Sequence, residues 1–201
     1  MEESIQFLIE NEVVFKHLYQ KYGVPFIPYR KPGFETLCKL IIEQQVSLAS
    51  AKACFQKLEL FLGKITPQSI LSVSLEELRN NGLSKQKANY LHNLSEAVLT
   101  KKINLKSLEN KNDEAVRSEL IQIKGIGNWT IDIYLMFSLE SPDILPLGDI
   151  AIVNSLKELF TCSNIQEMVE ISQKWSPHRS MAAFFLWHHY LESRGRKPLV
   201  Y

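Results

Sequence analysis

Leu120 to Asp149 reads LIQIKGIGNWTIDIYLMFSLESPDILPLGD, and the reading of this stretch decides how the chain is built. Gly125 and Gly127 stand at alternate positions between two segments whose apolar residues recur at helical spacing. Glycine reaches backbone angles closed to other residues, so the pattern predicts a tight hairpin between helices. Alternate glycines also remove side chains that would keep a phosphate away from the amides opening the second helix. The stretch closes on Asp149, behind Pro146 and Gly148 and ahead of another apolar-periodic segment.

Working outward, the helical period continues almost everywhere. Residues 4–22 predict a helix stopped by Gly23-Val24-Pro25, and Pro28 to Gly33 is a connection. From Phe34 a buried helix is expected to bend near Gln44-Gln45 and resume as far as Leu62, with Gly63 as its stop. Thr66-Pro67 and the capping box Ser74-x-x-Glu77 start short helices, and Ser84 starts another through Thr100. Asn112 or Asp113 opens the helix that leads into the hairpin. Further helices are expected over 128–139, 149–159, 165–175 and 177–193. No strand pattern survives, so the fold class is all-α.

Composition narrows the function classes. The chain has 201 residues, 45% hydrophobic and 22% charged, as expected of a globular protein with a sizeable core. A net charge of +1 argues against a broadly electrostatic binder. The lysines 85, 87, 101, 102, 106 and 111 read more readily as solvated helix faces than as a nucleic-acid footprint, so charge alone decides nothing. Cys38, Cys54 and Cys162 form no CxxC pair; they read as reduced thiols and cannot alone hold a four-cysteine iron–sulfur cluster. The acidic start MEESIQFLIENEVV is not a secretory signal, and no apolar run approaches the ~20 residues a membrane helix needs. An intracellular protein is expected, cytoplasmic and nucleoid-associated through DNA if the source is a prokaryote. His178, His188 and His189 lack matched metal-ligand spacing, and neither a phosphate-binding GxxxxGK[ST] loop nor a GxSxG elbow occurs.

Asp149 has two compatible readings. It is a good N-cap, and a helix N-terminus favours a carboxylate that can stabilise positive charge on a neighbouring group. Trp129, Tyr134 and Trp187 read either as core or as flat walls against which a base taken out of a duplex would stack, with a cation–π gain for a methylated purine.

The string IKGIGNWT followed by PLGD at Asp149 resembles the signature of the HhH-GPD base-excision DNA glycosylases, most closely the 3-methyladenine DNA glycosylases of AlkA type. Three further blocks fall in the family's order: IIEQQVSLASAKA (Ile41 to Ala53), LRNNGLSKQKANYL (Leu78 to Leu91) and WSPHRSMAAFFLW (Trp175 to Trp187). Together they cover roughly Phe34 to Leu191. The resemblance implies two helical lobes with a DNA-binding cleft between them, 34–115 as the central lobe and 1–33 with 116–201 as the other, in a single glycosylase unit.

It further implies Asp149 as the essential carboxylate and Trp129 and Trp187 as pocket aromatics. The carbonyls of Ile121, Ile123 and Ile126 would hold a structural Na+ or K+. Gly125 and Gly127, with Lys124, Asn128 and Thr130 around them, would meet the DNA backbone. A residue of the Gln44, Gln45 and Ser47 bend would fill the gap left by a flipped base.

Trp129 stands where bifunctional members carry an amine nucleophile, so no lyase activity is expected. Gln45 replaces the apolar wedge of the enterobacterial type, Ile133 replaces a pocket tyrosine, and the chain resembles a compact form without the extra N-terminal sheet domain. The expected function is monofunctional excision of alkylated bases, 3-methyladenine first and 7-methylguanine as a further candidate, from double-stranded DNA by a monomer with no catalytic cofactor. A glycosylase for hypoxanthine or uracil, a non-catalytic binder of DNA structure and a helical interaction scaffold are the other readings.

Overall fold

The computed structural model describes residues 1–197, and among them every regular element is helical. The α-helices are α1 (Glu2–Asn11), α2 (Val13–Tyr22), α3 (Phe34–Glu43), α4 (Leu48–Leu62), α5 (Pro67–Leu71), α6 (Leu75–Asn80), α7 (Lys85–Leu99), α8 (Asp113–Leu120), α9 (Asn128–Ser138), α10 (Ile150–Phe160), α11 (Ile165–Ser172) and α12 (Arg179–Glu192). Short 3-10 turns at Leu105–Asn110 and Gln173–Trp175 join α7 to α8 and α11 to α12. No described helix is long and apolar enough to cross a membrane.

The expected caps are the observed ones. Ser84 and Asn112 accept from the amide three residues on, and Thr66 and Ser74 complete capping boxes. Ser47, not anticipated as a cap, likewise accepts from the amide three residues on at the start of α4. The single helix predicted over 4–22 is two. Glu12 is extended at φ −140° and turns its carboxylate onto the amide of Val14, so α2 begins afresh there. Apolar spacing on either side of residue 12 keeps one period, which is why the break is silent in the sequence.

The chain divides into two compact units. The central unit runs from Arg30 to Leu139. In it α3 packs on α4, α7 and α9, while α7 also covers α5 and α6. Both α3 and α9 are buried over most of their surface, as their nearly continuous apolar sequence requires. The second unit joins residues 1–29 to residues 140–197, with α12 packed on α1, α2 and α10. Phe15, Phe160, Trp175 and Phe185 cluster there, ring centroids 5.0–5.8 Å apart. This division corrects the expected lobes. Segment 116–139, read as partner of the termini, lies in the central unit because α9 is a core helix packed on α3.

Candidate functional site

In the terminal unit, the site is built around the start of α10. Asp149 is its N-cap, with Oδ1 accepting from the amides of Ala151 at 2.9 Å and Ile152 at 3.3 Å. A third donor comes from α12, where Trp187 Nε1 lies 3.1 Å from the same oxygen. Three donors on one oxygen fix the rotation of the carboxylate at the helix start. The half-buried Trp187, read from the sequence as a flat wall, places its indole edge on Asp149.

The loop leading to Asp149 is clamped by the beginning of α12. Arg179 donates through Nε and Nη2 to the two oxygens of Asp143, each at 2.7 Å, and Ser176 donates to Asp143 Oδ2. Ser180 Oγ donates to Ser141 O at 2.6 Å and receives the amide of Ile144 at 3.0 Å. Burial opposes ionisation of Asp143, but the bonds from Arg179 and Ser176 outweigh it and hold the carboxyl below its ordinary range. The WSPHRS motif thus anchors the PLGD loop at one end, while Trp187, two turns on, meets the aspartate at the other. Nothing in either motif shows that they meet, since more than thirty residues separate the partners.

The central unit carries the hairpin, and its two glycines do different work. Gly125 lies at φ +109°, and a Cβ there would fall 2.3 Å from Cγ of Tyr90 on α7. Gly127, the N-cap of α9, has φ −107°; a Cβ there would meet no atom within 4 Å. Gly127 brings no side-chain cap to α9, so the first amides of that helix are not taken by its own cap. Asn93 Nδ2 donates to Lys124 O at 3.3 Å, a second contact from α7. Lys124 and Asn128 are exposed, and Asn128 Oδ1 accepts from Arg117 at 3.4 Å. Arg117 also meets Asp132 at 2.5 Å, where burial raises the carboxyl pKa against the pull of the guanidinium. Trp129 is half-buried in the first turn of α9.

Three residues assigned to ligand contact are used internally. Tyr134 is fully buried, and its hydroxyl accepts from the amide of Gly33 at 3.0 Å. Burial pushes its pKa up to about 12, and its fully buried ring belongs to the core rather than to a pocket wall. Thr130 is 1% exposed and accepts from Gln44, so it does not face DNA. Gln44 itself points inward, its Nε2 2.9 Å from both Gly125 O and Thr130 Oγ1. Gln45, by contrast, is exposed at φ +56°, and Ser47 is exposed while capping α4. The side chains of Ile123 and Ile126 are buried, that of Ile121 is exposed, and Ile123 O receives the amide of Ile126 at 3.0 Å. The helical turn at Gly82 is tied to α4 at the surface: Cys54 Sγ and Lys57 Nζ donate to the carbonyls of Gly82 and Asn80.

A helical hairpin ending in an uncapped helix start, with an aspartate N-capping the next helix, defines a class. The chain belongs to the HhH-GPD superfamily of base excision DNA repair proteins, whose pattern matches residues 38–178. Among curated relatives it is 36% identical over 126 residues to the alkylbase DNA glycosidase-like protein mag2 of Schizosaccharomyces pombe, covering 61% of this chain and 59% of that one. It is 30% identical over 165 residues to DNA-3-methyladenine glycosylase 1 of the same yeast, covering 79% and 72%. The 3-methyladenine DNA glycosylase of that yeast, solved in complex with abasic DNA, superposes with a TM-score of 0.84 at 28% identity, covering 92% of this chain and 95% of that one. The chain therefore spans about three fifths of the length of the first relative and most of the solved one.

Proposed function

We propose that this protein is a monofunctional DNA N-glycosylase that removes alkylated bases, 3-methyladenine first, from double-stranded DNA. The observation that carries the reading is Asp149, an N-capping carboxylate oriented by three donors on one oxygen. Fixed charge of this kind stabilises positive charge developing on a sugar without reorganising as the bond breaks. When the C1′–N bond of a cationic methylated purine breaks, its electron pair leaves with the base, which departs neutral. Water then adds to the oxocarbenium carbon and loses a proton to solvent. A cationic base needs no strong general acid, which suits a carboxylate held among N–H donors.

The relatives named as 3-methyladenine and alkylbase glycosylases support the substrate class. The uncapped start of α9 suits a DNA phosphate, with Lys124 and Asn128 exposed beside it and Trp129 as a stacking surface. Gln45 is the proposed wedge, exposed on a left-handed turn. An indole at 129 supplies no amine for a Schiff base, so the product would be an abasic site with the strand intact. The carbonyls of Ile121, Ile123 and Ile126 are proposed to hold Na+ or K+. Among the described residues no backbone amide donates to Ile121 O or Ile126 O, so a neutral oxygen set fits such an ion. Bound there, the ion would add positive charge beside the phosphate-binding amides. A monomer working wherever the cell keeps its DNA is sufficient for this role.

The test is base release from methylated duplex DNA by wild type and Asp149→Asn. Asparagine keeps an oxygen for the helix amides and Trp187, so the variant should fold and bind abasic duplex. Excision should fall by about 10²–10³-fold or more. Undiminished single-turnover excision by the variant would refute the assignment. Release of hypoxanthine or uracil from duplexes carrying those bases, with none from methylated DNA, would move the lesion class, and binding without release from any of them would leave a DNA-structure binder.

A further inference from the structure

The last residues of α3 are tethered one after another by different parts of the central unit. Ile42 O accepts from Lys87 Nζ of α7 at 2.7 Å. Glu43, 6% exposed, forms a two-pronged pair with Arg30 at 2.9 and 3.0 Å. Gln44 then donates Nε2 to Gly125 O and Thr130 Oγ1, both at 2.9 Å. A backbone carbonyl only accepts, so the amide orientation of Gln44 is dictated by its partner. The next residue, Gln45, turns out at φ +56° into solvent.

The bond to Gly125 O is made at a revealing place. It fixes the plane of the Gly125–Ile126 peptide, whose amide side donates to Ile123 O. The orientation of that plane sets where Gly127 and the first amides of α9 follow. One side chain therefore spans 81 residues of sequence to join the turn carrying Gln45 to the hairpin carrying Gly127.

We infer that Gln44 is a positioning residue that sets the spacing between these two elements, so that base displacement by Gln45 and phosphate capture at the hairpin act in one register on the strand. The inference rests on the proposed DNA reading. Gln44 touches no substrate; it acts through Gln45 and through the peptide at Gly125. Leucine at 44 keeps the volume and removes the donor. Glutamate turns an acceptor toward an acceptor and should be worse.

The test uses the full chain and three readouts. These are urea melts, affinity for duplex carrying an abasic analogue, and fluorescence of 2-aminopurine paired opposite a methylated base as a report of extrusion. Gln44→Leu should reduce extrusion by about tenfold, the loss expected when one or two neutral hydrogen bonds go. In a Gln45→Ala background the same change should matter less than about twofold, since coupled residues are not additive. A merely structural role would act equally in both backgrounds. Equal losses in both backgrounds, or unaltered extrusion by Gln44→Leu and Gln44→Glu, would overturn the inference. If wild type releases no base but the two substitutions remain non-additive for abasic-duplex binding, the spacing role stands and the glycosylase reading falls. If wild type excises and Gln44→Leu matches it, the reverse holds.

Discussion

Gly125→Ala and Gly127→Ala should separate the two reasons for the glycines of the hairpin. At Gly125 the added methyl has two costs. The backbone stands at φ +109°, where an L side chain is strained by about 1–3 kcal/mol. The methyl would also sit 2.3, 2.5 and 2.7 Å from Cγ, Cβ and Cδ1 of Tyr90. Carbon atoms rest at roughly 3.5–4.0 Å, so the ring must retreat by about 1 Å. Overpacking of that kind costs about 1–3 kcal/mol. The sum, about 2–6 kcal/mol, is a large part of the ~5–15 kcal/mol by which a domain is stable. At Gly127 neither cost applies, and alanine in place of an N-cap glycine should cost under about 1 kcal/mol. Its methyl instead enters the opening before the α9 amides, where affinity for an abasic-analogue duplex should drop by about tenfold, one displaced phosphate contact. Urea denaturation gives the stabilities, and a Tyr90→Ala cycle divides the cost at Gly125, relieving the overlap and leaving the backbone strain. Equal destabilisation by the two substitutions, or no relief from Tyr90→Ala, would refute the reasoning.

Other expectations follow from the same contacts. Trp187→Phe keeps an aromatic face but removes the N–H on Asp149; excision should fall by about tenfold or more, and the urea melt should lose no more than the ~1.5–3 kcal/mol that a hydrogen bond to a carboxylate is worth. An excision rate equal to wild type would make Trp187 a wall only. Arg30→Ala takes the guanidinium away from the buried Glu43 carboxylate and should cost about 3–5 kcal/mol in a urea melt, with Arg30→Met/Glu43→Leu recovering most of it. Asp143→Asn tests pH dependence. Folding lowers the Asp143 pKa, so its contribution is complete above the unfolded value of ~3.9 and is lost as pH falls through the folded value. The stability gap between wild type and variant should therefore be widest near neutrality and close in strong acid; a gap independent of pH would show that Arg179 contributes nothing through that charge.

The parts of the site that were legible in the sequence are those written within a turn or two of backbone. A Ser, Thr, Asn or Asp before an apolar-periodic run announces its helix, because the capping oxygen and the amides it serves lie two or three residues apart. Asp149 was readable as a cap for this reason, and the glycine hairpin from the conformations only glycine allows. The inward turn of Gln44, the burial of Thr130 and the core position of Tyr134 were not readable in this way. Each is a polar residue whose partner lies 81 to 101 residues distant, and polarity alone predicts exposure.

By itself the sequence determined the all-helical class, nearly every helix start and the two motifs that mark a base-excision repair protein, because helix periodicity and capping are local and additive along the chain. Only the tertiary structure decided that Tyr90 demands the glycine at 125 while open space surrounds 127, that Trp187 reaches Asp149, and that the hairpin belongs to the central unit. Those outcomes depend on which helix faces come within van der Waals reach, and that is set by the packing of whole helices rather than by any residue's neighbours in sequence.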